Sequence, residues 1–356
     1  MPADARFTTR AYRDGDEHAI LDLFARCFPH ALRTLEHFRW KYRENPFGNG
    51  RISLTFDESS SVPRSLGSPA VPEEPSDRGA EEPHLVGHYS GYAVPFRVSG
   101  RDVLAHQIGD TMTDVAARHV GRGPTSILGR TALHFYEHFC EEQVAFNYGF
   151  NVSNIHKFSL RFLRADRVEG VTYRARDLRA HPIEPLTRMQ RWRRGYQLEL
   201  VNEVDGEWDE FFEWVANDYG FLVRRDAEYV RWRYLAAPDT RYHLVTVRKW
   251  RRLVGWIAFR VQGERFLWGD ALFDRRYPEA VEVVLRHLVP PQRVTSIEGW
   301  FPPRPPWFEA ILRELSFEMR PEPQDLSVMC VPFAMPEATA TMRESLYYTW
   351  GDGDLF

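Results

Sequence analysis

The chain has 356 residues, 43% of them hydrophobic, and a formal net charge of −4. That length suits two globular domains, each with enough chain to bury a core, and the charge balance excludes a general nucleic-acid footprint. No apolar run reaches membrane-spanning length, and three scattered cysteines (Cys27, Cys140, Cys330) exclude a disulfide framework and a zinc-type spacing. Reduced thiols and an N-terminus without a basic-then-apolar signal point to the cytoplasm.

In chain order, Arg6 to Ile20 reads as a strand, the acidic turn Asp14-Gly15-Asp16-Glu17, then a helix. Phe38-Arg39-Trp40-Lys41-Tyr42 follows, with Asn45-Pro46 close behind. Ile52–Phe56 and Leu85–Tyr92 read as the arms of a hairpin. The segment 57–84 between them is rich in Ser, Pro, Glu and Gly, too poor in apolar surface to offset its ordering entropy, and is expected to be a disordered insertion. Val103–Thr113 reads as a strand. Arg118 to Gly123 spells R-x-x-G-x-G, and Thr125–Phe139 reads as a helix with Leu128, Ala132, Phe135 and Phe139 on one face. A strand, a glycine loop with basic side chains and a helix N-terminus together form an anion cradle of a size for pyrophosphate. Val144–Phe150 reads as the next strand.

Short matches recur later in the chain. Asp14-Gly15 pairs with Asp205-Gly206, Trp40-Lys41-Tyr42 with Trp232-Arg233-Tyr234, Leu85-Val86-Gly87 with Leu253-Val254-Gly255, and Gly109-Asp110 with Gly269-Asp270. The offset drops from 192 to 168 across the insertion, as expected of two like halves of which only the first carries it. Arg118 lies eight residues past Asp110. Eight residues past Asp270 is Pro278, in a stretch without glycine, so the second half lacks the cradle.

R-x-x-G-x-G after a strand resembles motif A of the GNAT N-acetyltransferase superfamily, which binds the pyrophosphate of acetyl-coenzyme A. The strand, acidic turn and helix at the start are similar to the opening of many GNAT chains. Phe38–Tyr42 with Asn45-Pro46 resembles a signature of a tandem GNAT group, and Gly149-Phe150 with Asn154 resembles the family's strand-to-helix junction. The resemblance implies a mixed α/β fold of two tandem GNAT-like domains, each a mostly antiparallel twisted sheet flanked by helices. Residues 1–180 would be the catalytic domain, and 181–356 a degenerate one with a C-terminal tail. It implies acetyl-coenzyme A, or another acyl-coenzyme A, as cosubstrate, with no metal. The loop backbone of Val120, Gly121, Gly123, Pro124 and Thr125 would take the pyrophosphate, aided by Arg118, His119 and Arg122. Backbone N–H groups of Thr111, Met112 and Thr113, exposed by a bulge, would stabilise the thioester oxygen, and the pantetheine arm would run toward Asn154.

An alkyl ammonium with a pKa of about 10 must lose a proton before it attacks. Family members often place a glutamate near the position of Gln107, which is no base. Asp110 is the nearest carboxylate; regular alternation sets it on the face of His106 and away from Gln107, and a bulge could turn it to the cleft. The family's general-acid tyrosine falls at Arg161 or Phe162, which leaves Tyr148 as the substitute. Some tandem GNAT proteins bring their extreme C-terminus into the active site. Here that segment carries Asp352 and Asp354 between aromatics, suited to an amine. The expected activity is N-acyl transfer to a small-molecule amine, without nucleic-acid or membrane partners and with a homodimer left open. Alternatives are acylation of a protein, a non-catalytic acyl-coenzyme A sensor, and a tandem-GNAT-fold aminoacyl-tRNA-dependent ligase, which does not need the loop.

Overall fold

The structure is a computed structural model that describes residues 6–62 and 82–353. The first half runs β1 (Phe7–Ala11), α1 (Glu17–Cys27), α2 (Leu35–Tyr42), β2 (Arg51–Val62), β3 (Glu82–Val98), β4 (Arg101–Thr113), α3 (Ile127–Phe139), β5 (Phe146–Asn151), α4 (Ser153–Phe162), β6 (Asp166–Gly170) and β7 (Tyr173–Asp177). A short helix α5 (Arg188–Arg193) leads into the second half. There the order is β8 (Tyr196–Val201), α6 (Gly206–Val215), β9 (Phe221–Val223), α7 (Ala227–Val230) with its π-helical continuation Arg231–Leu235, β10 (His243–Lys249), β11 (Arg252–Gln262), β12 (Arg265–Phe273), α8 (Glu279–Leu288), β13 (Ser296–Trp300), α9 (Pro306–Glu314), β14 (Glu318–Arg320), β15 (Ser327–Pro332) and α10 (Ala338–Ser345). Apart from the short β9 and the final α10, the second half repeats the element order of the first.

Two mixed sheets result, one per half. The first has the order β1-β2-β3-β4-β5-β15-β6, with β9 also paired to β3; the second has β14-β7-β13-β12-β11-β10-β8. Every pairing is antiparallel except β4 with β5 and β12 with β13. The helix α3 follows from its pattern. Ser126 caps it by accepting from the Gly129 N–H, and Ile127, Ala132, Phe135 and Tyr136 bury one face against β2 and β3.

Two expectations need correction. The boundary at residue 180 does not separate the sheets. β7, before it, lies between β13 and β14, whereas β15, far beyond it, lies between β5 and β6. Each half thus lends a strand to the other, and neither sheet is complete from one half's residues. The insertion is also shorter than 57–84. After a register shift past Asp57↔His84 the two arms pair again at Ser61↔Pro83 and Val62↔Glu82, and Asp57 is held by Arg6 at 2.6 Å. The remaining insertion residues, 63–81, lie outside the described residues.

The halves meet on matched residues. Trp40 and Trp232 stack at 5.2 Å, and each indole N–H donates to the other's carbonyl oxygen, at 2.8 and 3.0 Å. That reciprocity is the local mark of a two-fold relation between the halves. No helix of the described residues is long and apolar enough to cross a membrane, and no group of three or more metal-ligating side chains occurs among them.

Candidate active site in the first half

The glycine loop sits where β4 ends and α3 begins. Gly121 and Gly123 both have positive φ, +65° and +55°. A β-carbon at Gly121 would lie 2.3 Å from the Thr125 carbonyl oxygen, and one at Gly123 would lie 2.8 Å from the Phe162 ring. Both positions therefore need glycine. The amide N–H groups of Gly121 and Gly123 meet no acceptor among the described residues. Arg118 and Arg122 are exposed beside them, Arg118 anchored by its Nε to the Thr113 carbonyl at 3.3 Å. No acid lies in the first turn of α3. These groups provide positive potential and open donors at a helix N-terminus. At the matching place in the second half, α8 follows Pro278 and carries Glu279 and Glu282 in its first turn.

β4 and β5 pair only at His106↔Asn147 and Gln107↔Tyr148, although β4 continues to Thr113. The strands therefore part beyond Gln107 and open a wedge lined by Ile108–Thr113. On its other edge β4 pairs with β3, but the ladder jumps from Ser90↔Gly109 to His88↔Met112. Asp110 and Thr111 thus face the single residue Tyr89, with Asp110 at φ +48°. This is the bulge expected at Thr111–Thr113, placed one residue earlier. Met112 is buried and Thr111 and Thr113 are half-buried. Asn154 lies in the first turn of α4.

The bulge turns Asp110 to the side opposite His106. The His106 ring meets Phe135 of α3, whereas Asp110 takes Lys41 Nζ at 2.9 Å, Tyr42 Oη at 2.9 Å and Arg33 Nη2 at 3.0 Å. Burial alone would raise its proton affinity, but Lys41 and Arg33 outweigh that and hold the carboxyl far below the ordinary carboxylate range. A carboxylate so held is a poor proton acceptor, so Asp110 does not fit the base role expected of it. His106 fits no better: burial lowers its pKa to about 4.

Gln107 is buried on the cleft side, where its carbonyl oxygen accepts from both Tyr92 Oη and Tyr148 Oη, the latter at 3.1 Å. Tyr92 also borders a cleft of about 180 Å³ between the halves, walled by Trp40 and Lys41 on one side and Arg233, Asp239 and Tyr242 on the other. Arg33, Lys41, Tyr42 and Tyr92 were not singled out as site residues from sequence. Lys41 and Tyr42 stood inside the FRWKY signature, but nothing local linked them to Asp110.

Asp352 also departs from expectation. It is buried in the second half, where Arg225 Nη2 reaches it at 2.6 Å, and so cannot meet an acceptor in the first. Arg225 Nε holds Asp270 at 2.9 Å, Tyr234 Oη donates to Asp270 at 2.5 Å, and Thr349 Oγ1 donates to it at 2.8 Å. Arg225, Tyr234 and Asp270 correspond to Arg33, Tyr42 and Asp110, and the tail segment Thr349–Gly353 packs onto this second set, tied by Arg233 to the Gly351 and Gly353 carbonyls. The described chain ends at Gly353 against Trp300 and Phe150, the latter on β5. Asp354 lies outside the described residues.

No family model matches the sequence, and no curated protein matches it. Solved structures do match. A GCN5-related N-acetyltransferase from Anabaena variabilis shares 12% identity at TM-score 0.63, over 91% of this chain and 72% of that one. Eis1 from Mycobacterium abscessus shares 16% at TM-score 0.56, over 93% and 74%. Saccharomyces cerevisiae N-myristoyltransferase, solved with bound myristoyl-CoA, shares 10% at TM-score 0.54, over 92% and 83%. The chain has the GNAT fold that its motifs led us to expect.

Proposed function

We propose that this GNAT-fold chain is an acyl-coenzyme A-dependent N-acyltransferase, with its cofactor site in the first half. One observation carries the reading: a wedge between β4 and β5 opens beside a loop whose two glycines have amides without an acceptor among the described residues, at the N-terminus of α3. Pyrophosphate would take those amides with Arg118, His119 and Arg122, along the loop through Val120, Pro124 and Thr125. The pantetheine arm would lie in the wedge past Thr111, Met112 and Thr113, toward Asn154. The thioester carbonyl would then sit where the bulge frees a backbone donor, which stabilises the oxyanion as the amine attacks.

The acceptor is proposed to be a small-molecule amine in the cleft bordered by Tyr92, Lys41 and Arg233. A cleft of about 180 Å³ suits a compact molecule better than a folded protein's lysine. Tyr148, through its hydroxyl beside Gln107, is proposed to protonate the departing thiolate. Asp354 is proposed to meet the acceptor amine, because the tail leaves Gly353 next to Phe150 on β5. Free-thiol release from acetyl-coenzyme A, measured across a panel of amino sugars, polyamines and amino acids, tests this reading. Turnover with at least one small amine, and none with lysine-containing peptides, is expected. Acylated peptide as the sole product would contradict the acceptor class. Coenzyme A binding without turnover on any acceptor would instead favour an acyl-coenzyme A sensor.

A further inference from the structure

We propose that the turns around Gly195 and Trp250 form a docking site for an anionic membrane surface. Two W-R-R triplets stand 58 residues apart, Trp192-Arg193-Arg194 at the end of α5 and Trp250-Arg251-Arg252 between β10 and β11. The fold sets them side by side. The Trp250 N–H donates to the Gly195 carbonyl at 3.0 Å, Lys249 Nζ reaches the Arg194 carbonyl at 2.5 Å, and the Trp250 ring covers Gly195.

The patch is apolar at its tips and basic around them. Trp192 is 70% exposed, Trp250 69% and Met189 57%. Arg188, Arg193, Arg251 and Arg252 are exposed and have no carboxylate within ion-pair distance among the described residues. Arg194 and Lys249 of the same turns meet Glu282 and Glu279 at 3.6 and 3.7 Å, so the four other guanidinium groups leave a net positive patch on a chain of net charge −4.

The shape chooses between phosphate-rich partners. Single-stranded nucleic acid is held in a basic groove with stacking platforms along it. Here Trp192 projects from the last turn of α5 and Trp250 from the turn between β10 and β11, and neither borders the cleft between the halves. Projecting indoles ringed by arginine suit the headgroup layer, where the rings lie at the interface and the guanidinium groups meet lipid phosphates. The site would hold the protein peripherally, without a spanning segment, and departs from the expectation of no membrane partner.

Co-sedimentation with vesicles tests the proposal. Phosphatidylcholine vesicles with about 30% phosphatidylglycerol should bind the protein at least about tenfold better than pure phosphatidylcholine at about 50 mM salt, and about 0.5 M salt should abolish the difference. Trp192→Ala with Trp250→Ala should lose the binding. Because Trp250 packs on Gly195, Arg193→Glu with Arg251→Glu serves as a second variant that leaves the packing intact and should lose it equally. Coenzyme A binding should be unchanged in both. Equal binding to the two vesicle types, or full binding by the Arg variant, would overturn the proposal, as would capture by a single-stranded RNA oligonucleotide with no vesicle binding.

Discussion

Two buried carboxylates, Asp110 in the first half and Asp352 in the tail segment packed on the second, behave in opposite ways. Asp110 sits between Lys41, 2% exposed, and Arg33, and stays ionised in the fold. Its folded pKa is depressed, so the stability it contributes is present above the ordinary carboxylate pKa of about 4 and is lost as pH falls below it. Asp110→Asn removes the charge that both cations share and should cost about 3 kcal/mol, read as a lower denaturation midpoint at neutral pH. If acyl transfer persists in the folded fraction, with no loss that shrinks as pH rises, Asp110 is an anchor and not a base. Asp352 is the reverse case. Burial, opposed by Arg225 and reinforced by the like charge of Asp270, pushes its pKa up to about 6. A raised carboxyl pKa contributes stability below the unfolded value that is lost as pH rises from about 4 to about 6. Asp352→Asn should flatten stability across that window, which urea titrations at three pH values would show. Sequence reading found Asp110 but not its partners, which lie on α2 and in the loop before it, some 70 residues away. Alternation alone pointed the side chain toward His106, and only the bulge reversed it.

At the scale of elements, the strand–loop–helix unit was legible because its information is local. Glycine spacing, the apolar stripe of α3 and the strand before it all lie within residues 101–139. The strand exchange was not legible, because β7 and β15 carry ordinary strand sequences that do not name their neighbours. Its energetic consequence is direct. In a chain ending at residue 180, β5 would lose its ladder from Ser327↔Asn151 to Pro332↔Phe146, and β6 would lose its only partner among the described strands. The expected result is an aggregating or molten fragment without cooperative unfolding by circular dichroism. A soluble fragment with a sharp thermal transition would show that the first half needs no strand from the second.

Across the whole molecule, the two halves share an element order but differ in what occupies equivalent places. The first half keeps open amides at the glycine loop. The second places Pro278 and two glutamates at the helix start, and its Arg225–Asp270 cluster is covered by the tail segment Thr349–Gly353. Repeat offsets read from sequence located Trp40 against Trp232 and Asp110 against Asp270. Arg33 against Arg225 stands at the same offset of 192 as Trp40 against Trp232, but a single-residue match carries no signal until the structure sets both arginines on their carboxylates. On the proposed function the chain binds coenzyme A at one site. Isothermal titration of coenzyme A into the intact protein and into Gly121→Asp measures this most directly, since the aspartate brings both bulk and negative charge against the proposed pyrophosphate. One site per chain in the intact protein, and none in the variant with its thermal transition retained, is the predicted result. Two sites per chain, or unchanged affinity in Gly121→Asp, would contradict it.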